Sequence, residues 1–333
     1  AADLLGHMIL EEKMAQTSCV LIPSGREKEA ERFCKYGMGE VSTLEVRMMK
    51  IPEEAAAFQR KVQNMIMENS PHHIPAIFHM EGLCGAFIQD AVSYPSGIGR
   101  ASSWDSELEK QIGQNVARQE NAVGFTHTLA PVLDISRDSR MGRQGETYGE
   151  DPVLCAVMGT AYIRGIQNKP VECLEYLNGK KTGERGKRYS ESVAKHFMGF
   201  HNSQGGIHGA ASDTPPRLLE EIYGKPFQAA ITEAGLKGIM PCYCTFDGEP
   251  ASASYHLLTE LLREQMGFEG VTVSDYSGVE NIHRVQKMYD SLAEAGLHAM
   301  EAGMDVETPV PVCYTAELTE WFGSGKADIR ILD

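Results

Sequence analysis

Short apolar runs recur along the chain, each ending in small or polar residues and followed by a longer stretch with apolar positions at helical spacing. The clearest runs are 18–22, 75–80 (PAIFHM), 127–134 (HTLAPVLD), 193–198 (VAKHFM), 238–243 (GIMPCY), 270–275 (GVTVSD) and 303–307 (GMDVE), with a weaker one near 38–42. Between them, 54–69, 105–122, 152–167, 216–234, 255–266 and 288–301 alternate apolar and charged positions as helices do. Several open on Asp, Ser or Pro, which suit helix starts. A strand–helix rhythm of this kind needs a parallel sheet. Eight strands in 333 residues predict one domain over 1–333, a (β/α)8 TIM-like barrel, with a doubly wound open sheet as the alternative. No repeat or low-complexity tract interrupts it. The basic, Gly-bearing stretch 178–192 (NGKKTGERGKRYSES) fits no element and is expected as an exposed loop.

Charge narrows the partners. Lys and Arg number 31 against 46 Asp and Glu, a formal net charge of −15, which repels a phosphate backbone and an anionic bilayer alike. Neither nucleic acid nor membrane is expected as a partner. No run approaches the ~20 apolar residues that cross a bilayer. The start AADLLGHM lacks the charged and apolar regions of a signal peptide, so the chain reads as cytoplasmic, or as secreted after processing. The eight cysteines are scattered with no CxxC pair. Reduced, mostly buried thiols are expected, and no metal or cofactor.

In a barrel the active site lies at the carboxyl ends of the strands, so polar residues there are the candidates. Glu81, the stretch Asp138 to Arg143, Lys195 with His196, Tyr243, and Asp275 with Tyr276 all sit at such ends. A charge placed directly after a buried apolar run is costly by several kcal/mol unless paired or used. A helix cap or a salt bridge would explain any one of them; recurrence on five strands points to a site, and Asp275 after GVTVS is the sharpest case. Lys195 and His196 are adjacent on a strand and should face opposite ways, so both reach one ligand only through a bent exit. Lys195 alone would also fit a Schiff-base nucleophile. The loop 199–212 (GFHNSQGGIHGAAS) carries no phosphate-binding pattern.

Taken together, these stretches resemble the barrel domain of the family 3 glycoside hydrolases, exo-acting β-glycosidases. LLGHMILEEKMAQ is similar to its opening helix, MEGLCG to its first sugar-binding loop and APVLDISRDSRMGRQGETYGEDP to its most characteristic block. AKHF, IMPCY, FDG, VTVSDY and AGMDVE follow in the family's order. The resemblance implies a retaining enzyme that removes terminal β-D-glucosyl or β-D-xylosyl residues from an oligosaccharide or β-glycoside. In it Asp275 attacks the anomeric carbon and forms a covalent glycosyl-enzyme. It sets Glu81, Arg143, Lys195 and His196 around the hydroxyls of the terminal sugar. Met240 and Tyr243 line its floor or orient the nucleophile, and Tyr276 is an aromatic wall. The chemistry agrees, because the cations Arg143 and Lys195 favour an ionised nucleophile.

The sequence departs from the family's pattern at Met141, often Trp, at Cys84, often His, and at Cys244, often Asn. It also lacks the acid that often precedes position 81. Glu81 itself, where family glucosidases commonly carry Asp, is more typical of xylosidases, and both substrates stay open. Retention also needs a second carboxyl group about 5–5.5 Å from the nucleophile. In most of the family that acid/base comes from an α/β domain following the barrel, so a second domain or chain is expected to supply it. A single-domain β-N-acetylhexosaminidase branch instead uses an Asp–His dyad on the loop after KHF. Here that loop carries His201, His208 and Asp213, without the branch's closely spaced Asp-Ser-His. Glu146 and Glu150 are further candidates for the acid, expected instead to cap or brace the GETYGEDP turn. Two further readings are a sugar-binding protein without turnover and a Schiff-base lyase, the second of which leaves VSDY unexplained.

Overall fold

The computed structural model describes residues 2–167, 171–177, 180–188 and 190–333. Its strands are β1 (Cys19–Leu21), β2 (Glu40–Ser42), β3 (Ile77–Met80), β4 (His127–Thr128), β5 (Val171–Leu177), β6 (Lys180–Arg188), β7 (Glu191–Phe197), β8 (Gly238–Pro241), β9 (Thr245–Phe246), β10 (Glu249–Pro250) and β11 (Val271–Thr272). Seven of them form one curled sheet in the order β1-β2-β3-β4-β7-β8-β11, and every neighbouring pair in it is parallel. The run at 303–307 is too short for a ladder, yet it closes the ring. Val306 bridges Val273 beyond β11, and Glu307 bridges Ser18 ahead of β1. The expected (β/α)8 barrel is therefore present, with eight staves, one of which contributes single bridges.

Helix Pro52–Asn69 shows how the outer layer forms. Ala55, Phe58, Val62 and Ile66 recur every three or four residues and are buried. They pack against Val41 and Phe78 of the sheet. Each such side chain contributes about 1.5–3 kcal/mol by leaving water. Because strand residues alternate faces, the neighbours of Val41 and Phe78, namely Glu40, Ser42 and His79, turn into the barrel.

Several elements differ from expectation for identifiable reasons. Only His127–Thr128 pairs within 127–134, since Pro131 has no N–H to give, and contact resumes as a bridge from Val132 to Lys195. The helix expected over 216–234 is three pieces, Pro216–Leu218, a π-helical turn Leu219–Tyr223 and Lys225–Ala234, broken where Pro226 lacks its donor. The helix expected over 288–301 starts later, at Leu292, because the Ser291 hydroxyl accepts from the Glu294 N–H at 3.1 Å and caps it. The expected loop at 178–192 is also corrected. Lys180–Arg188 pairs antiparallel with Val171–Leu177, and β7 begins at Glu191. Positions 178, 179 and 189 lie outside the described residues. Cys19, Cys34, Cys84, Cys155, Cys242, Cys244 and Cys313 are free, and of these only Cys84 is exposed.

Candidate active site

The strand ends deliver the predicted side chains to one mouth. Lys195 pairs with Met240 and Phe197 with Pro241, so the β7–β8 register shifts between them. Such an irregularity re-aims side chains. It supplies the bent exit that two adjacent residues needed. Lys195 Nζ donates to both Glu81 oxygens, at 2.9 and 2.8 Å. His196 lies beside it, with Nδ1 2.7 Å from Asp134 Oδ2 and its backbone N–H donating to the same oxygen at 3.2 Å. Nε2 of the same ring is 3.6 Å from Asp275 Oδ2.

Asp134 is the residue that sequence reasoning missed. Its side chain is fully buried, and burial pushes its carboxyl up to about 6 against the lowering pull of His201, Arg143 and the His196 N–H. The signal existed: a charge ending the apolar run LAPVLD is the same cue that singled out Asp275. Burial also drives His196 well below its ordinary value. With Nδ1–H given to Asp134, Nε2 accepts from Arg143 Nη2 at 3.3 Å. Arg143 is in turn gripped by Glu146 at 2.8 and 2.7 Å. Burial opposes the charge on both partners, and the pairing outweighs it, lowering Glu146 and raising Arg143. Glu146 thus holds a site cation as well as bracing the turn, whereas Glu150 is exposed.

The nucleophile candidate is held by main chain. The Tyr276 N–H donates to Asp275 Oδ1 at 2.8 Å, and the Tyr243 hydroxyl donates to the Tyr276 carbonyl at 2.7 Å. Burial first, then the nearby Asp275 charge, raises the Tyr243 phenol above its ordinary range. Asp275 keeps a side-chain exposure of 16%, enough to meet a ligand. Met240 lies one layer deeper, buried with Leu129 and Val193, and Tyr276 packs on that cluster. At the lip, His208 Nε2 lies 3.4 Å from Arg143 Nη1, and its ring contacts Phe200 and Tyr243. Burial and then the Arg143 charge lower its pKa. His201 is buried against Ser136 at 3.1 Å, and Asp213, exposed, bonds Gln204. Of the departures from the family's pattern, Cys84 is exposed, while Cys244 is buried with its thiol donating to the Phe200 carbonyl. A separate groove of about 1050 Å³, lined by Leu10, Met14, Phe33, Tyr36 and Tyr314 among others, carries none of these site residues.

Fold and mouth together define a parallel α/β barrel whose strand ends gather carboxylates, an arginine, a lysine and a histidine around one partly exposed aspartate. The chain belongs to glycosyl hydrolase family 3, whose N-terminal domain matches residues 9–331. It is 33% identical over 271 residues to a beta-xylosidase of Formosa agariphila, covering 80% of this chain and 34% of that protein. Against a periplasmic beta-glucosidase of Salmonella typhimurium it is 28% identical, covering 99% of this chain and 40% of the relative. A β-glucosidase structure from Erythrobacter marinus superposes with a TM-score of 0.86 at 29% identity, over 99% of this chain and 43% of that one. The chain spans about a third to two fifths of the length of these curated relatives. Among the described residues, no helix is long and apolar enough to cross a membrane.

Proposed function

We propose that this chain carries the nucleophile and the sugar pocket of a retaining β-glycosidase acting on terminal β-D-glucosyl or β-D-xylosyl residues. The observation that carries the reading is Asp275, a partly exposed carboxylate fixed by the Tyr276 N–H at the mouth of the barrel. Its free oxygen attacks the anomeric carbon, the glycosidic C–O bond breaks toward the aglycone, and water later hydrolyses the ester. Glu81, Arg143, Lys195 and His196 bind hydroxyls of the terminal sugar. Lys195 Nζ is engaged by both Glu81 oxygens, which speaks against its use as a Schiff-base nucleophile. The acid/base comes from a second domain or chain. Supporting this, both Glu146 oxygens are committed to Arg143, and the named β-glucosidases and β-xylosidases are much longer than this chain.

A 2-deoxy-2-fluoro β-glycoside with a dinitrophenolate leaving group tests the reading, because it traps the glycosyl-enzyme without needing an acid. Mass spectrometry should find the label on the peptide containing VTVSDY, and Asp275→Asn should fold but take no label. Labelling of another peptide overturns the assignment.

A further inference from the structure

The barrel interior holds a polar chain that the reaction as described does not use. Interior positions of such barrels are ordinarily filled by branched apolar side chains. Here Glu40, His79 and His127 occupy them, each no more than 1% exposed. Glu40 Oε1 lies 2.9 Å from His79 Nδ1 and 3.1 Å from His127 Nδ1. Burial alone would push the Glu40 carboxyl up, but the two histidines outweigh it and hold it at about 2. An ionised carboxylate only accepts, so each Nδ1 carries the hydrogen. His79 Nε2 then meets the phenol oxygen of Tyr276 at 2.9 Å, while Ser42 Oγ reaches the same oxygen at 3.2 Å.

The phenol is thus tied down among side chains that point into the barrel. The main chain of the same residue serves the mouth: its N–H holds Asp275 Oδ1 and its carbonyl takes the Tyr243 hydroxyl. Tyr276 is anchored at one end and grips the carboxylate at the other. We propose that Glu40 and His79 are positioning residues that clamp the Tyr276 phenol from within the barrel and, through its main chain, aim the Asp275 carboxylate. The inference rests on Asp275 being the nucleophile. A buried ion placed only for stability would need no hydrogen bond to the residue that holds the reacting group.

The test separates aim from binding. Time-dependent inactivation by 2,4-dinitrophenyl 2-deoxy-2-fluoro-β-D-glucoside, and by the matching xyloside, forms the Asp275–C1 ester and expels dinitrophenolate with the bond's electron pair. No acid enters, so the maximal rate ki reads attack and Ki reads binding. Tyr276→Phe and Glu40→Gln should each lower ki about 10- to 100-fold, the scale of a small misplacement of reacting groups, with Ki changed less than about threefold. The double variant should be no slower than the slower single, as action through one phenol requires. Tyr276→Phe removes one oxygen and keeps the packing on Met240, Leu129 and Val193, so it reports even if Glu40→Gln does not fold. Multiplicative losses, a loss confined to Ki, or unchanged ki in Tyr276→Phe would overturn the proposal. If the wild type labels Asp275 and the variants label as fast, only this inference fails. Absence of label on wild-type Asp275 overturns it together with the reading it rests on.

Discussion

Asp134 illustrates what a single buried carboxyl does at this site. One oxygen accepts both His196 N–H groups, while Oδ1 is buried with no hydrogen-bond partner. Asparagine keeps the first acceptor and removes the charge, so Asp134→Asn mimics the protonated acid. With the carboxyl pushed up to about 6, the wild-type labelling rate at Asp275 should rise as pH climbs through about 6. Asp134→Asn should lack that step and stay at the wild type's low-pH level. Stability moves the other way. The unfolded carboxyl ionises near ~3.9 while the folded one still holds its proton, so wild-type stability falls as pH rises from about 4 to 6. Thermal melts across that window should show the decline in the wild type and its absence in Asp134→Asn. A variant with an unchanged labelling step would show that another group sets it. Asp275, Lys195 and His196 were legible in the sequence because each is polar immediately after or within a continuous apolar run. His79, polar inside PAIFHM, offered the same contrast as Lys195 but stood alone, and alternation hides which face a lone residue takes, while Glu40 lies within the weak run near 38–42.

At the scale of elements, close backbone approach fixes where the strands can lie. Gly39 leads into β2, and a Cβ there would stand 1.9 Å from the Gln16 carbonyl oxygen. A main-chain atom cannot swing aside as a side chain can. Gly39→Ala should therefore cost about 1–3 kcal/mol, read as a lower urea midpoint. Gly145→Ala, where nothing lies within 4 Å, should stay within about 0.5 kcal/mol. Equal midpoints for the two would mean that the β1–β2 region relaxes freely. The strand–helix order was readable because a buried parallel strand is a continuous apolar run. Lengths were not. Hydrophobicity alone does not register that Pro131 lacks a ladder donor, nor that Pro226 forces a second helix start within one amphipathic stretch.

For the molecule as a whole, the proposed acid/base from a second domain or chain makes turnover depend on the leaving group. General acid assistance contributes roughly 10²- to 10⁴-fold, and it matters most for leaving groups of high pKa. On the proposed reading, this 333-residue chain should cleave activated aryl glycosides measurably and unactivated disaccharides slowly, with the gap closing once a second domain or chain supplies the acid/base. Brisk disaccharide hydrolysis by the chain alone would locate an acid within it, and His208→Ala would then be the variant to assay.

The bridges made by Val306 and Glu307 bear on how any such second polypeptide can engage. A sheet with a bare outer strand invites association by strand addition, in which main-chain hydrogen bonds supply the affinity and sequence matters little. Here both outer strands of the seven-stranded sheet are already met by the same short segment, so that route is closed at the barrel sheet. On the proposed reading, the second domain or chain that delivers the proton is met by side chains and connecting segments around the rim. Its docking geometry is then written in residues that substitution can change one at a time, and the hydrogen-bonded ring beneath them has no part in choosing the partner.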